Sequence, residues 1–269
     1  NAAVYNASNR LSSIVSANLN GNGTTSAGNL TLNSPGGVSQ TGDITGVNTL
    51  DITYNTGSVT LSRETNNIAN LKLSGTGATS AQVATSGTLN ITGVNLNTDN
   101  NSTLGGLSLL AGGNVTQSAA ITGASGLSVT SRTGSVALTD AGNKVKTIGG
   151  QTSGKDFSFT CGASCLNLAA INLNAGLTTP ATGNLNITTA VGGVNQTGAV
   201  TGVNLFTVVS NVNNTSIVAL NNSANSVNSV NISTADGNAG FTNSKGFSVT
   251  GVNLNTDNDA VKGNLSLRA

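Results

Sequence analysis

The chain repeats itself at long range. Gly28-Asn-Leu-Thr-Leu32 returns as Gly106-Leu-Ser-Leu109, Gly183-Asn-Leu-Asn-Ile187 and Gly263-Asn-Leu-Ser-Leu267, so that Leu30, Leu107, Leu185 and Leu265 mark the same point at nearly even intervals. Thr92-Gly-Val-Asn-Leu-Asn-Thr-Asp-Asn100 recurs without change at Thr250–Asn258, with weaker copies at Ala17-Asn-Leu-Asn20 and Ile171-Asn-Leu-Asn174. A third marker, Gly37-Val-Ser-Gln-Thr-Gly, is matched by Gly113-Asn-Val-Thr-Gln and Gly193-Val-Asn-Gln-Thr-Gly. A chain of like units buries its apolar surface by stacking each unit on the next, which confines it to arrays and solenoids. The units fall at 1–29 (partial), 30–106, 107–184, 185–264 and 265–269 (partial), read as one continuous domain.

A finer period lies inside each unit. Apolar-x-apolar pairs open at Leu30, Leu50, Leu71, Leu89 and Leu107. The next unit opens at Leu107, Leu127, Ile148, Leu166 and Leu185, with the same order of longer and shorter steps. The third is looser, with Phe206, Val230, Phe247 and Leu265. These openings begin short alternating runs such as Leu50-Asp-Ile-Thr-Tyr54, Ser58-Val-Thr-Leu61 and Leu127-Ser-Val-Thr130, punctuated by Gly, Asn, Asp or Ser. Alternation with β-branched residues predicts strands, and the punctuation predicts turns. No window carries a helical period.

The expected fold is therefore all-β: a right-handed parallel β-helix (β-solenoid) with coils of about 18–21 residues, grouped four to a unit of roughly 77. Thirteen or so coils at about 4.8 Å give a rod on the order of 60 Å long. The composition agrees. Apolar columns fill an interior and Thr and Asn columns line the outside, where like charges stacked coil on coil would repel. Only 7% of residues are charged, and the whole stretch from Phe157 to Ala235 carries no charge at all. Pro35 and Pro180 both fall at expected turns.

That charge pattern also excludes functions. A net charge of +1 gives no electrostatic case for nucleic acid or an anionic membrane surface. No stretch approaches the roughly 20 apolar residues of a membrane helix, so no membrane insertion is expected. Histidine is absent, which removes a Ser-His-Asp or Cys-His nucleophile and imidazole metal ligation.

The sub-repeats resemble those of the filamentous-haemagglutinin-like exoproteins of two-partner secretion and related β-helical adhesins. The likeness rests on the Gly-x-Leu-x-Leu openings, on Val115-Thr-Gln-x-x-x-Ile-Thr-Gly123, and on Gly-Ser-Val-x-Leu at Gly57–Leu61 and Gly134–Leu138. It spans the whole chain, although the family's signature secretion domain is not recognisable. The resemblance implies a secreted, extracellular bacterial surface protein used in adhesion.

Few residues offer chemistry. Cys161 and Cys165 lie in Cys161-Gly-Ala-Ser-Cys165. A disulfide closing this small loop is the preferred reading, and it suits an extracytoplasmic compartment. Free thiols and a redox pair are the alternatives, and a zinc half-site lacks two further ligands. The spacing also resembles the close cysteine pairs of some exoproteins of that family, though here it lies mid-chain. Asn-x-Ser/Thr triplets are plentiful, including Asn29, Asn90, Asn186 and Asn195. Asn22, Asn101 and Asn214 are the candidate glycosylation acceptors. Asp43 and Asp51 are the acids an enzyme reading would need, yet neither recurs in the other units. Asp99, Asp257 and Asp259 sit in the Asn-Thr-Asp-Asn turn, where Asx capping is preferred to calcium binding. Tyr5 and Tyr54 are the amphipathic aromatics that a sugar platform would use.

The expected function is thus a structural shaft of an extracellular bacterial filament or adhesin, non-enzymatic and without a cofactor. Its expected partners are copies of itself, end to end or side by side, and glycans or proteins of host or neighbouring cells. The alternative is a carbohydrate-binding β-helix module, and less so a polysaccharide lyase or hydrolase.

Overall fold

A computed structural model describes the 269 residues apart from 6–12, 22–26, 78, 101, 163–165, 179–181, 212–216, 259–260 and the side chain of Tyr5. It is an all-β parallel β-solenoid of about 10 turns, the turns about 21 residues apart, with no helix among the described residues. That is fewer than the thirteen coils expected. Some turns spend extra residues on loops: Leu107 stacks on Ala81 and Leu185 on Phe157, pairs set further apart in sequence than the ordinary turn. By internal contacts the chain forms two compact units, Asn1–Arg132 and Thr133–Ala269.

In Asn1–Arg132, one ladder of parallel strands runs through Ala2–Tyr5, Gly28–Ser34, Val47–Tyr54, Ile68–Gly75, Leu89–Asn95 and Val115–Gln117. Its interior column stacks Leu30, Leu50, Leu71 and Ile91. A second ladder runs through Val38–Ser39, Val59–Leu61, Ala81–Thr85, Gly105–Ala111 and Ala124–Ser131, stacking Val38, Val59, Ala81, Leu107 and Leu127. Thr133–Ala269 repeats this plan. One ladder stacks Val136, Phe157, Leu185, Phe206, Val230 and Val249. The other stacks Leu166, Val194, Val218, Ala239 and Leu265. Alternation sets the facing: in Phe157–Cys161, Phe157, Phe159 and Cys161 point inward and are buried, while Ser158 and Thr160 are half-exposed.

The registers show how the long period maps onto the turns. Leu30 belongs to the first ladder, yet its counterpart Leu107 stacks in the second, between Ala81 and Leu127. Val38 lies in the second ladder and its counterpart Val115 in the first. From Leu30 the chain makes three full turns, through Leu50 and Leu71 to Ile91, then a half turn to Leu107. One unit is therefore three and a half turns, although it contains four apolar openings. The short step from Leu89 to Leu107 crosses from one ladder to the other. In the second compact unit, Leu185 and Leu265 differ in the same way.

A third side is built once per unit from the recurring corner motifs. Asn18, Asn95, Asn172 and Asn253 each accept, through Oδ1, the N–H of the asparagine two residues on, at 2.9, 2.9, 2.9 and 3.1 Å. These are Asx turns. Three of the corners sit against a glycine in left-handed conformation: Gly46 (φ 63°) over Asn20, Gly123 (φ 71°) over Asn97 and Gly202 (φ 66°) over Asn174. The leucine between the asparagines donates its N–H to the residue before each glycine: Leu19 to Thr45, Leu96 to Thr122 and Leu173 to Thr201, at 3.0, 3.1 and 3.0 Å. The Asn-Leu-Asn and Ile/Val-Thr-Gly markers are thus the two halves of one joint.

Tyr54 shows what this packing demands. Its ring is fully buried, in register with Gly75, where a Cβ would lie 2.7 Å from Tyr54 Cζ. Burial pushes the phenol above its ordinary value of 10.0, with the Thr79 hydroxyl opposing. The unfolded chain ionises at the ordinary value while the folded chain holds the proton. Stability is therefore complete below about pH 10 and falls as pH rises from there toward the raised folded value. Urea unfolding across this alkaline range should show the fall, and Tyr54→Phe should remove that part of the slope; an unchanged slope would refute the assignment.

Candidate functional site

Among the described residues three ion pairs join different turns. Arg63 Nε donates to Asp43 Oδ1 at 2.5 Å, and the Thr65 hydroxyl donates to the same oxygen at 2.6 Å. The Thr65 hydroxyl first, and then Arg63, hold the Asp43 carboxyl below its usual range. An acceptor engaged in this way is suited to remaining an anion and not to delivering a proton. Asp51 stacks on Lys72 in register, 3.0 Å from its Nζ, and Glu64 meets Arg132 at 2.5 Å. Each acid of the enzyme reading thus has its own basic partner. Among the described residues no three His, Cys, Asp or Glu side chains gather as a metal site.

The other candidates fall as follows. Asp99 Oδ1 accepts the N–H of Gly77 at 2.5 Å, and Asn100 and Asn258 end their turns at φ 54° and 60°. Asp259 lies outside the described residues. Tyr54, offered as a sugar platform, is instead a core residue: its place in Val47–Tyr54 is inward, and Gly75 leaves the space for its ring. The side chain of Tyr5 is outside the described residues. Phe157 and Phe159 pack in the core. Cys161 is buried at an inward position with Sγ 3.4 Å from the Val145 carbonyl oxygen, and Cys165 lies outside the described residues. Asn22, Asn101 and Asn214 also lie outside them.

Of the remaining triplets, Asn29 and Asn90 belong to an outward-facing amide ladder. Asn48 Nδ2 donates to Asn29 Oδ1, Asn70 to Asn48 and Asn90 to Asn70, at 3.2, 3.2 and 3.0 Å. Asn186 Nδ2 donates to the Ser158 hydroxyl at 3.2 Å, while Asn195 is exposed on its strand.

Two residue pairs escaped the sequence reading. Asn66 is fully buried; its Oδ1 accepts from Gln40 Nε2 (2.8 Å) and the Ile44 N–H (2.9 Å). Its Nδ2 donates to Gln40 Oε1 (2.8 Å) and the Ala84 carbonyl (3.1 Å). Asn225 does the same with Gln196 (2.5 and 3.1 Å), the Val200 N–H (2.8 Å) and the Leu220 and Thr242 carbonyls (3.3 and 2.9 Å). These reciprocal amide knots tie three successive turns together. The glutamine was visible in the third marker. Its partner announces itself only as an Asn two residues before a strand's first apolar residue, as in Asn66-Asn-Ile68 and Asn225-Ser-Val227.

One broad surface remains. The ladder through Phe157–Cys161, Leu185–Thr189, Val200–Ser210 and Ser226–Thr234 turns Ser158, Asn186, Thr207 and Asn231 outward in register. They form a half-exposed, uncharged column, and Val191 and Ile217 are exposed beside the second ladder of the same compact unit. Comparison with known proteins yields no match to a family model, a curated protein or a solved structure.

Proposed function

We propose that this chain is a shaft segment of an extracellular bacterial filament or adhesin, a stiff solenoid that acts through geometry and self-association. The supporting observation is the uncharged outward column of Ser158, Asn186, Thr207 and Asn231, with no like-charge repulsion to keep neighbouring copies apart. Stacked turns whose long period repeats the same corners suit a load-bearing rod. Side-by-side contact between copies follows from the charge-free stretch, and surface glycans or proteins of other cells are the external partners the resemblance implies.

Negative-stain microscopy of the wild type is expected to show laterally associated rods. Thr207→Lys combined with Asn195→Lys places one cation on each ladder, and it should disperse the bundles at low ionic strength and restore them in high salt. Bundling that is indifferent to both substitutions would place the contact elsewhere, and discrete rods in the wild type would overturn self-association.

A further inference from the structure

The asparagine ladder of Asn1–Arg132 forms one continuous row across the strands. Asn29, Asn70 and Asn90 lie on three strands of the first ladder, and Asn48 stands at the bulge beside Thr49. Asn48, Asn70 and Asn90 each give an Nδ2 hydrogen to the Oδ1 of the asparagine before, and the Thr116 hydroxyl donates to Asn90 Oδ1 at 3.4 Å. Asn70 Nδ2 also reaches the Asn48 carbonyl (2.8 Å), and Asn90 Nδ2 the Ser118 hydroxyl (3.4 Å). The donors are thus largely spent within the row.

The acceptors are not. A carboxamide oxygen has two lone pairs, and the row uses one on each of its four oxygens. It therefore offers four carbonyl acceptors, one per turn at about 4.8 Å, each held in place by its neighbours. In the next outward column Asp51 and Lys72 pair at 3.0 Å, which leaves the flank without net charge and favours neither a polyanion nor a polycation. A line of acceptors calls for a line of hydroxyl donors on a neutral polymer. We propose that this row binds an extended, neutral β-linked glucan lying across the strands. Such a chain advances per sugar by close to the spacing of the turns, so successive sugars meet successive asparagines. Each contact is weak alone, and the polymer gains by repeating it on side chains that are already ordered. The proposal gives a chemistry to the glycan partner of the filament reading and rests on that reading for its setting, while the row stands on the fold alone.

The test is surface plasmon resonance on the 269-residue chain, immobilised sparsely so that copies stay apart, with cellohexaose, cellobiose and maltohexaose as probes. Saturable binding of cellohexaose is expected. Cellobiose spans too few rungs and the α-linked maltohexaose curves away from a straight row, so both should bind at least tenfold more weakly. Asn48→Ala removes a middle rung and should weaken cellohexaose at least fivefold. Asn48 is exposed, so this variant should melt as the wild type does, which separates lost binding from lost folding. Thr60→Ala, exposed on the other ladder, should change nothing. No saturable binding, equal affinity for either control sugar, or an Asn48→Ala chain that binds like the wild type would each overturn the proposal. The chain carrying Thr207→Lys and Asn195→Lys should bind cellohexaose unchanged, so loss of bundling and loss of glucan binding are read separately.

Discussion

Asn225→Leu should unfold this protein at markedly lower denaturant. The leucine fills a similar volume but leaves the Val200 N–H and the Leu220 and Thr242 carbonyls without the amide that serves them. Each buried main-chain group left unsatisfied costs roughly 1–3 kcal/mol, and water reaching one of the three would spare part of that. A loss of about 3–5 kcal/mol is expected on this basis, read from the urea midpoint at constant slope. Asn66→Leu should behave alike, because it strips the Ile44 N–H and the Ala84 carbonyl. A cycle with Gln196→Leu tests the knot itself. Gln196 is only partly buried, so its loss alone should cost less, and the double variant should cost less than the two singles added. Additive costs, or a loss under about 1 kcal/mol for Asn225→Leu, would show that the knot contributes little.

Gly202→Val tests the corner joint and should be comparably severe. The residue sits at φ 66°, and a Cβ there would stand 2.5 Å from Asn174 Cβ and 2.7 Å from Asn174 N. A β-branched side chain meets both penalties. Left-handed backbone costs about 1–3 kcal/mol and overpacking about 1–3 kcal/mol more, so a loss of about 2–5 kcal/mol is expected. Gly87→Ala is the internal control, since nothing lies within 4 Å of its added Cβ. It should be neutral or stabilise by up to about 1 kcal/mol. Thermal melts of the two variants against wild type decide the matter, and equal effects would mean that the corner glycines serve only as turns.

Much of the architecture was legible because like residues stack. The spacing of Leu30, Leu50 and Leu71 names a column directly, and the registers reproduce it. Legibility stops at Leu89. In sequence, a strand that crosses to the other ladder alternates just as one that completes a turn does, so the short step from Leu89 to Leu107 passes for a coil. Only pairing partners reveal that Leu107 rests on Ala81. Tyr54 misled for a related reason: alternation gives its facing, but the empty space over Gly75 that admits a ring belongs to the neighbouring turn. Asn66 was hidden most deeply. In a chain so rich in asparagine, a buried amide bonded to the distant Gln40 has the same letter as the exposed Asn48 or the outward-facing Asn70.

The half turn left over in each unit makes repeat number a matter of parity. Inserting or deleting one unit changes the length by three and a half turns and moves every later strand to the other ladder. Inserting two adds seven turns and returns each strand to the ladder it had. A lineage that gains or loses single units would therefore reverse the side on which any later feature is displayed, while keeping every corner joint and amide knot intact. Odd and even members of such a series would have the same local sequence grammar and opposite aim.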